Sequence, residues 1–245
     1  MPYDIYRNGS VEGDKPIMTV DSDTLAGGDL SDVDLSGADL NEANLVEVDL
    51  RATNLNNANL TCAYLTDANL SGADLSGADL TGADLTGAGL TDTSLTGADL
   101  TGADLTGAYM LYTNLYGANL TRANLTGANL TGADLRATNL SDANLTGATL
   151  PNGETFEYFV EHTVPRLLTA GGKPLEEVAS RGNWACHSWD NCPIAVAFGA
   201  SSTSGVPEEY REAAGLFIAL FDAGLIPRHE VVKVQDEGQG DINVY

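Results

Sequence analysis

The sequence predicts an all-β solenoid of stacked coils, followed by a small, mainly α-helical C-terminal domain. Three observations predict it. Leucine recurs every five residues from Leu25 to Leu150, occupying 25 of 26 register positions, with Met110 in the other. Five is the period of neither regular element: on a helix each step turns the leucine by about 140°, and on a strand an odd step sends neighbouring leucines to opposite faces. The register then ends at Pro151, after which apolar residues fall at helical spacing.

In chain order, residues 1–24 are expected to cap the solenoid. Their opening, MPYDIYRNGSVEGDKPIM, holds no apolar run long enough for a signal peptide, and no segment approaches the roughly 20 apolar residues of a membrane span. Residues 25–150 form the solenoid. Within "LSGADLSGADLTGADLTGAGL" (residues 70–90) Ala78 and Leu80 are two apart and share an inward face, whereas Ser76, Gly77 and Asp79 need not. A bend at each Ser/Thr-Gly step returns the next Ala-Leu pair to the same interior, because glycine tolerates tight-turn backbone angles. Successive coils can then hydrogen-bond at about 4.8 Å.

The consensus A-(D/N)-L-(S/T)-G resembles the pentapeptide-repeat family over about half of the chain. That resemblance implies a right-handed quadrilateral β-helix with four repeats per coil, so residues 20 apart stack. It then places Asp79 under Asp99, Asp84 under Asp104, and Thr53, Thr93 and Thr113 on one inward column with Ala73 between. The 26 repeats would make a rod roughly 30 Å long.

Charge restricts function. The chain carries 35 Asp/Glu against 11 Lys/Arg, a net charge of −24. In residues 21–150 the only cations are Arg51, Arg122 and Arg136. Direct nucleic-acid binding, which needs Lys and Arg to neutralise phosphates, is therefore excluded for the rod. The stacked aspartates read most plainly as a solvated acidic surface; a cation site or a docking face are the other readings. The stretch "GAYMLYTNLYGANL" (107–120) differs: Tyr109, Leu111, Tyr112 and Tyr116 fall at outward positions. An apolar group this dense predicts either an intermolecular contact or, the favoured reading, cover by the C-terminal segment. If it is not covered within the chain, a homodimer through residues 109–116 is expected.

The C-terminal domain spans residues 151–245. "GETFEYFVEHTVPRLLTAGG" reads as a helix kinked or restarted at Pro165 and stopped by Gly171-Gly172, and "KPLEEVASRG" as a short helix. "SGVPEEYREAAGLFIALFDAGLIP" is the clearest helix: Pro207 opens it, and Tyr210, Ala213, Ala214, Phe217, Ile218 and Phe221 form its apolar face. "HEVVKVQ" reads as a strand before a loose tail. Between the helices, "NWACHSWDNCPIAVAFGA" (183–200) gathers Cys186, His187 and Cys192. With His162 or His229 they could complete a zinc set, or act as a cysteine-histidine nucleophile. Adjacent Cys-His ligands are awkward, so the plainer reading makes Trp184, Trp189 and the cysteines core, with Asp190 or Asn191 capping a helix opened by Pro193. The stretch also resembles an uncharacterised module that follows pentapeptide repeats in some bacterial and phage proteins, a likeness that implies no activity.

Three cysteines are too few for a disulfide framework, which agrees with a reducing, cytoplasmic setting, or a virion if phage-encoded. No Gly-rich phosphate loop, H-E-x-x-H or G-x-S-x-G is present, and neither enzyme activity nor a cofactor is expected. The leading expectation is a non-enzymatic interaction or structural protein, one that assembles into a larger complex such as a phage particle. The family resemblance supplies an alternative, a DNA mimic that binds a type II topoisomerase such as gyrase. The rod's charge, near one per 2 Å, approaches the ~1.7 Å of duplex DNA.

Overall fold

Each five-residue repeat has five backbone N–H groups to place, and their placement builds the coil. In the repeat Ser76–Leu80, the N–H groups of Gly77 and Leu80 donate to Thr96 O and Asp99 O of the next coil, at 2.9 and 2.7 Å. Asp79 N–H donates back to Ala58 O at 3.0 Å, and Ala78 N–H closes a turn on Leu75 O at 3.0 Å. The fifth, Ser76 N–H, donates to the side chain of Asp74 at 2.9 Å. A polar Asx before most of the leucines is thus the acceptor that the turn uses, with Tyr64, Gly89, Ser94 and Tyr109 as exceptions inside the rod. In the last repeat Thr149 takes the Asx position, and Pro151, two residues on, has no N–H to satisfy.

This is a computed structural model, and it describes residues 3–7, 9, 16, 18–20, 25–170, 172, 193–198, 202–223 and 225–226. The chain divides into two units, residues 1–153 and 154–245. In the first, every isolated parallel bridge joins residues 20 apart, from Asp29–Asp49 to Asn129–Thr149. Four repeats therefore make one coil, as the resemblance implied. The outward Asx positions fall on four faces. The first holds Tyr109, the second Asn114, the third Asn119 and the fourth Asn124, each with its counterparts every 20 residues.

Each turn from Gly27 to Gly147 has its second residue at positive φ. Together with the Leu75–Ala78 hydrogen bond, φ of 68° at Gly77 marks a type II turn. Non-glycine residues, among them Ala52, Tyr112 and Arg122, hold the same left-handed conformation at φ 54°, 55° and 59°. The leucines and alanines of the register fill the interior, and Met110 replaces leucine there while remaining fully buried. Each buried leucine contributes about 1.5–3 kcal/mol. Thr53, Thr93 and Thr113 are buried in the predicted column because each hydroxyl has a partner, donating to the carbonyl of Leu30, Leu70 or Leu90 at 2.7, 2.8 and 2.7 Å. Their branched side chains open the turn: the N–H to carbonyl distance is 3.3 Å at Thr113 against 3.0 Å at Ala78.

The N-terminal residues form a strand pair on the edge of the first coil. β1 (Tyr3–Arg7) pairs antiparallel with β2 (Met18–Val20) on one side. On the other it pairs with β3 (Ala38–Asp39) of the first coil. Ile5 is fully buried, and Arg7 Nη1 donates to Ser36 O at 2.9 Å. An otherwise open sheet edge is thereby occupied.

In the second unit, Thr155 caps a continuous helical segment: α1 (Phe156–Tyr158), a π-helical turn over Phe159–Thr163, and α2 (Val164–Ala170). Proline here neither breaks nor restarts the helix. The turn widens just before Pro165, with Val164 N–H donating to Phe159 O five residues back, which accommodates a residue that has no N–H of its own. α3 (Pro193–Phe198) opens at Pro193 as expected and packs on α2.

The clearest predicted helix begins later than its sequence suggests. Pro207 precedes a 3₁₀ turn at Glu208–Tyr210, and α4 runs over Arg211–Asp222. Its buried face is Ala214, Leu216, Phe217, Leu220 and Phe221, with Tyr210, Ala213 and Ile218 half-buried. The face is rotated toward Leu216 and Leu220 because those positions carry the larger burial at the i, i+4 spacing. The helix expected over 173–182, the strand over 229–235 and the tail lie outside the described residues.

Candidate functional site

The acidic candidates sit where the register places them. Asp79 and Asp99 are bridge partners on the third face, Asp84 and Asp104 on the fourth. Between these pairs the corner is made by Gly82 and Gly102; nothing lies within 4 Å of a Cβ built at Gly102. Two stacked carboxylate pairs therefore flank a glycine corner, open at Gly102 and with Cys62 Sγ 3.5 Å from a Cβ built at Gly82. Each aspartate is held by its own turn, Oδ1 accepting the N–H of Thr81, Thr86, Thr101 or Thr106 at 2.9–3.0 Å. On the next coil Asn119 Nδ2 donates to Asp99 Oδ1 at 3.3 Å and to Thr101 Oγ1 at 2.8 Å, and Asn124 repeats this on Asp104 and Thr106 at 3.2 and 2.8 Å.

Partial burial pushes the Asp79 and Asp84 carboxyls up, but donation from Thr81 and Thr86, by hydroxyl and N–H, outweighs it and holds both below the usual aspartate value. Thr66 adds a hydroxyl bond to Asp84 at 2.9 Å. These groups are ionised at neutral pH and held as fixed, oriented anions by their turns. Rows spaced at about 4.8 Å suit recognition of cationic side chains.

The aromatic candidates gather on one coil. Tyr109, Tyr112 and Tyr116 are 59%, 62% and 49% exposed, and Leu111 is half-buried. Tyr112 stands at the corner between the first and second faces and leans onto the next coil, where a Cβ at Gly132 would collide with its ring. Tyr116 stands beyond Asn114 on the same coil. Arg136, one coil on, lies 5.9 Å from the Tyr116 ring centroid and pairs with Asp134 at 2.6 Å. Arg136 is the member of this group that reading by residue type misses; counting 20 from Tyr116 finds it. Tyr64, on the fourth face below Asp84, is likewise exposed and was likewise missed.

Cys186, His187, Cys192 and His229 lie outside the described residues. His162, the remaining zinc candidate, stacks on Tyr158 with ring centroids 4.4 Å apart. Cys62 is exposed at a turn corner. Among the described residues no group of three or more His, Cys, Asp or Glu could hold a metal ion, and no helix is long and apolar enough to cross a membrane.

A family model agrees with the register of the repeats. The family model "Pentapeptide repeats (8 copies)" matches residues 29–67, 58–97, 83–122 and 113–152, together just over half of the chain. A search of the curated proteins returned no match. Among solved structures the chain is similar to HetL, a pentapeptide repeat protein involved in heterocyst differentiation regulation from the cyanobacterium Nostoc sp. strain PCC 7120. Identity is 33% over 54% of this chain and 74% of HetL, with a TM-score of 0.40. It is similar to the pentapeptide repeat protein Rfr23 from the cyanobacterium Cyanothece 51142 at 32% identity, covering 53% of this chain and 88% of Rfr23, with a TM-score of 0.31. QnrB1, a plasmid-mediated fluoroquinolone resistance protein, matches at 21% identity over 51% of this chain and 72% of QnrB1, with a TM-score of 0.42. An unbroken five-residue register, 20-residue coils and the family-model match lead to one assignment: this chain belongs to the pentapeptide-repeat family.

Proposed function

We propose that the chain is a non-enzymatic interaction protein whose β-helical rod offers its acidic third and fourth faces to a partner protein with a basic surface. The observation that carries this reading is the pair of stacked carboxylates, Asp79–Asp99 and Asp84–Asp104, on either side of the Gly82–Gly102 corner. Their turns hold them in place, so a partner meets them without first ordering them. The rod interior is packed leucine and alanine, so whatever the rod recognises it recognises on its outside. The test is capture from the host's lysate by the full chain and by a variant carrying Asp79, Asp84, Asp99 and Asp104 to Asn. A protein retained by the first and not by the second supports the reading; identical retention by both sinks it.

A second reading, DNA mimicry toward a type II topoisomerase such as gyrase, rests on the acidity of the rod as a whole, about one net charge per 2 Å spread over its four faces against ~1.7 Å for duplex DNA. Gyrase supercoiling titrated with the two proteins separates it from the first. Inhibition or drug protection lost in the Asn variant selects gyrase as the partner; no effect from either protein removes gyrase from consideration.

A further inference from the structure

The second face is unlike the rest of the rod, and its composition specifies an occupant. On the coil of Asn114 it is flanked at one corner by Tyr112 and at the other by Tyr116, both exposed, with Tyr109 just around the first corner. Tyrosine and arginine are the residues that dominate binding energy at protein interfaces, and here Arg136 leans over Tyr116. The three tyrosines expose on the order of 400 Å², since each aromatic can bury about 150–250 Å². A two-fold contact covers the patch on both copies, on the order of 800 Å² against the about 1,200 Å² at which specific interfaces begin, leaving the rows above and below to contribute the rest.

Charge selects the direction in which a second copy can lie. We infer that this face takes a second copy of the same chain, antiparallel, about a two-fold axis running across the coil of Tyr112, Asn114 and Tyr116. Such an axis sets Tyr112 on the partner's Tyr112 and Tyr116 on the partner's Tyr116, and it places each coil above the axis opposite the coil below it. Asp134 then faces the partner's Ser94, Arg136 faces the partner's Thr96, and Asp92 faces the partner's Gly132. Within these three coils no like charges oppose one another. A parallel arrangement would instead set Asp34, Asp74 and Asp134 each against its own copy, a row of like-charge contacts. Elsewhere two chains of net charge −24 repel, so association at this face tightens as salt screens the rest.

The experiment is the mass of the full chain in solution by sedimentation and light scattering across concentration. It uses the wild type, a Tyr112→Gly, Tyr116→Thr variant, and Ser94→Asp. Both tyrosine changes suit the fold: position 112 has φ of 55°, which glycine adopts freely, and the coil before Tyr116 already carries Thr96 at its position. The wild type is expected at twice the 25.5 kDa protomer mass, and the tyrosine variant at one protomer, with association weakened at least tenfold. Ser94→Asp, which opposes the partner's Asp134, is expected to dissociate the dimer at low salt and to recover it at high salt. Asn114 lies on the axis, so Asn114→Cys in a Cys62→Ser background should form a disulfide-linked dimer that Cys62→Ser alone does not. A monomeric wild type overturns the inference and assigns the tyrosines to another partner or to cover within the chain. A dimer unaffected by the tyrosine variant, or an Asn114→Cys chain that does not cross-link, overturns it equally. None of these results depends on the acidic faces, whose variant is scored separately by capture.

Discussion

At the residue scale the turn position decides most. Every repeat holds its second turn residue in the left-handed region, where a side chain costs about 1–2 kcal/mol, yet 12 of these positions are not glycine. Ala52 and Ala137 are the cleanest cases, small side chains at φ of 54° and 57°. Replacing either with glycine relieves the fold but also loosens the unfolded chain, so the net gain is expected at about 0.5–1 kcal/mol. A raised thermal midpoint checks this; a lowered one would show that the turn is not strained. The Asx position gives the complementary prediction. Asp79→Ala removes the acceptor of the Thr81 N–H and should cost about 1 kcal/mol, whereas Asp79→Asn keeps that acceptor and should stay within about 0.5 kcal/mol of wild type. Denaturant unfolding of the pair measures the difference. Equal stability of the Ala and Asn variants would mean that water serves that N–H as well as the carboxylate does.

At the scale of elements, the coil ladder ties stability to pH. The side-chain hydroxyl of Ser31 holds Asp29 low, the guanidinium of Arg51 does so for Asp49, and that of Arg136 for Asp134, while Asp79 and Asp84 are held low against the opposing effect of burial. A carboxyl lowered in the folded state contributes stability that is fully present above its unfolded value, about 3.9, and is lost as pH falls through the folded value. The rod's unfolding midpoint should therefore be flat from neutrality to about pH 5 and fall below about pH 4, and a chain with Asp79→Asn and Asp84→Asn should fall less steeply. A parallel decline in both proteins would place the acid sensitivity elsewhere. β1 supplies a second test: Ile5→Ala empties a fully buried site against the first coil and should cost about 2–5 kcal/mol, with exposure of the coil edge read out as concentration-dependent aggregation.

These elements also show what sequence could convey. The solenoid was legible because one five-residue pattern states both the core, Ala78 with Leu80, and the turn, Ser76 with Gly77, and because the resemblance to the pentapeptide-repeat family implies a 20-residue coil that makes every vertical neighbour countable. Asp79 over Asp99 and the buried threonine column followed directly. Three features were not legible: the pairing of β1 with Ala38–Asp39, the widened turn ahead of Pro165, and the rotation of α4 toward Leu216 and Leu220. The first and third depend on contacts between segments that no local period encodes, and the second on a local hydrogen bond, Val164 N–H to Phe159 O, that apolar spacing does not announce. Arg136 beside Tyr116 was available by the same count of 20 but stood outside a reading that looked for aromatics alone.

For the whole molecule, two surfaces divide the rod. The third and fourth faces carry stacked, turn-anchored carboxylates, and the second carries exposed tyrosines around Asn114, with Asp134 paired to Arg136 one coil on. The first surface suits a basic partner and the second a like molecule, so both can be occupied at once. The most direct test of the central claim, that the carboxylate rows hold the partner, is the salt dependence of affinity. It is measured for the captured partner against the wild-type chain and against the chain with Asp79, Asp84, Asp99 and Asp104 to Asn. The account predicts steep weakening with salt for the wild type, and a weaker, flatter dependence for the variant. Equal affinities and equal slopes would contradict it.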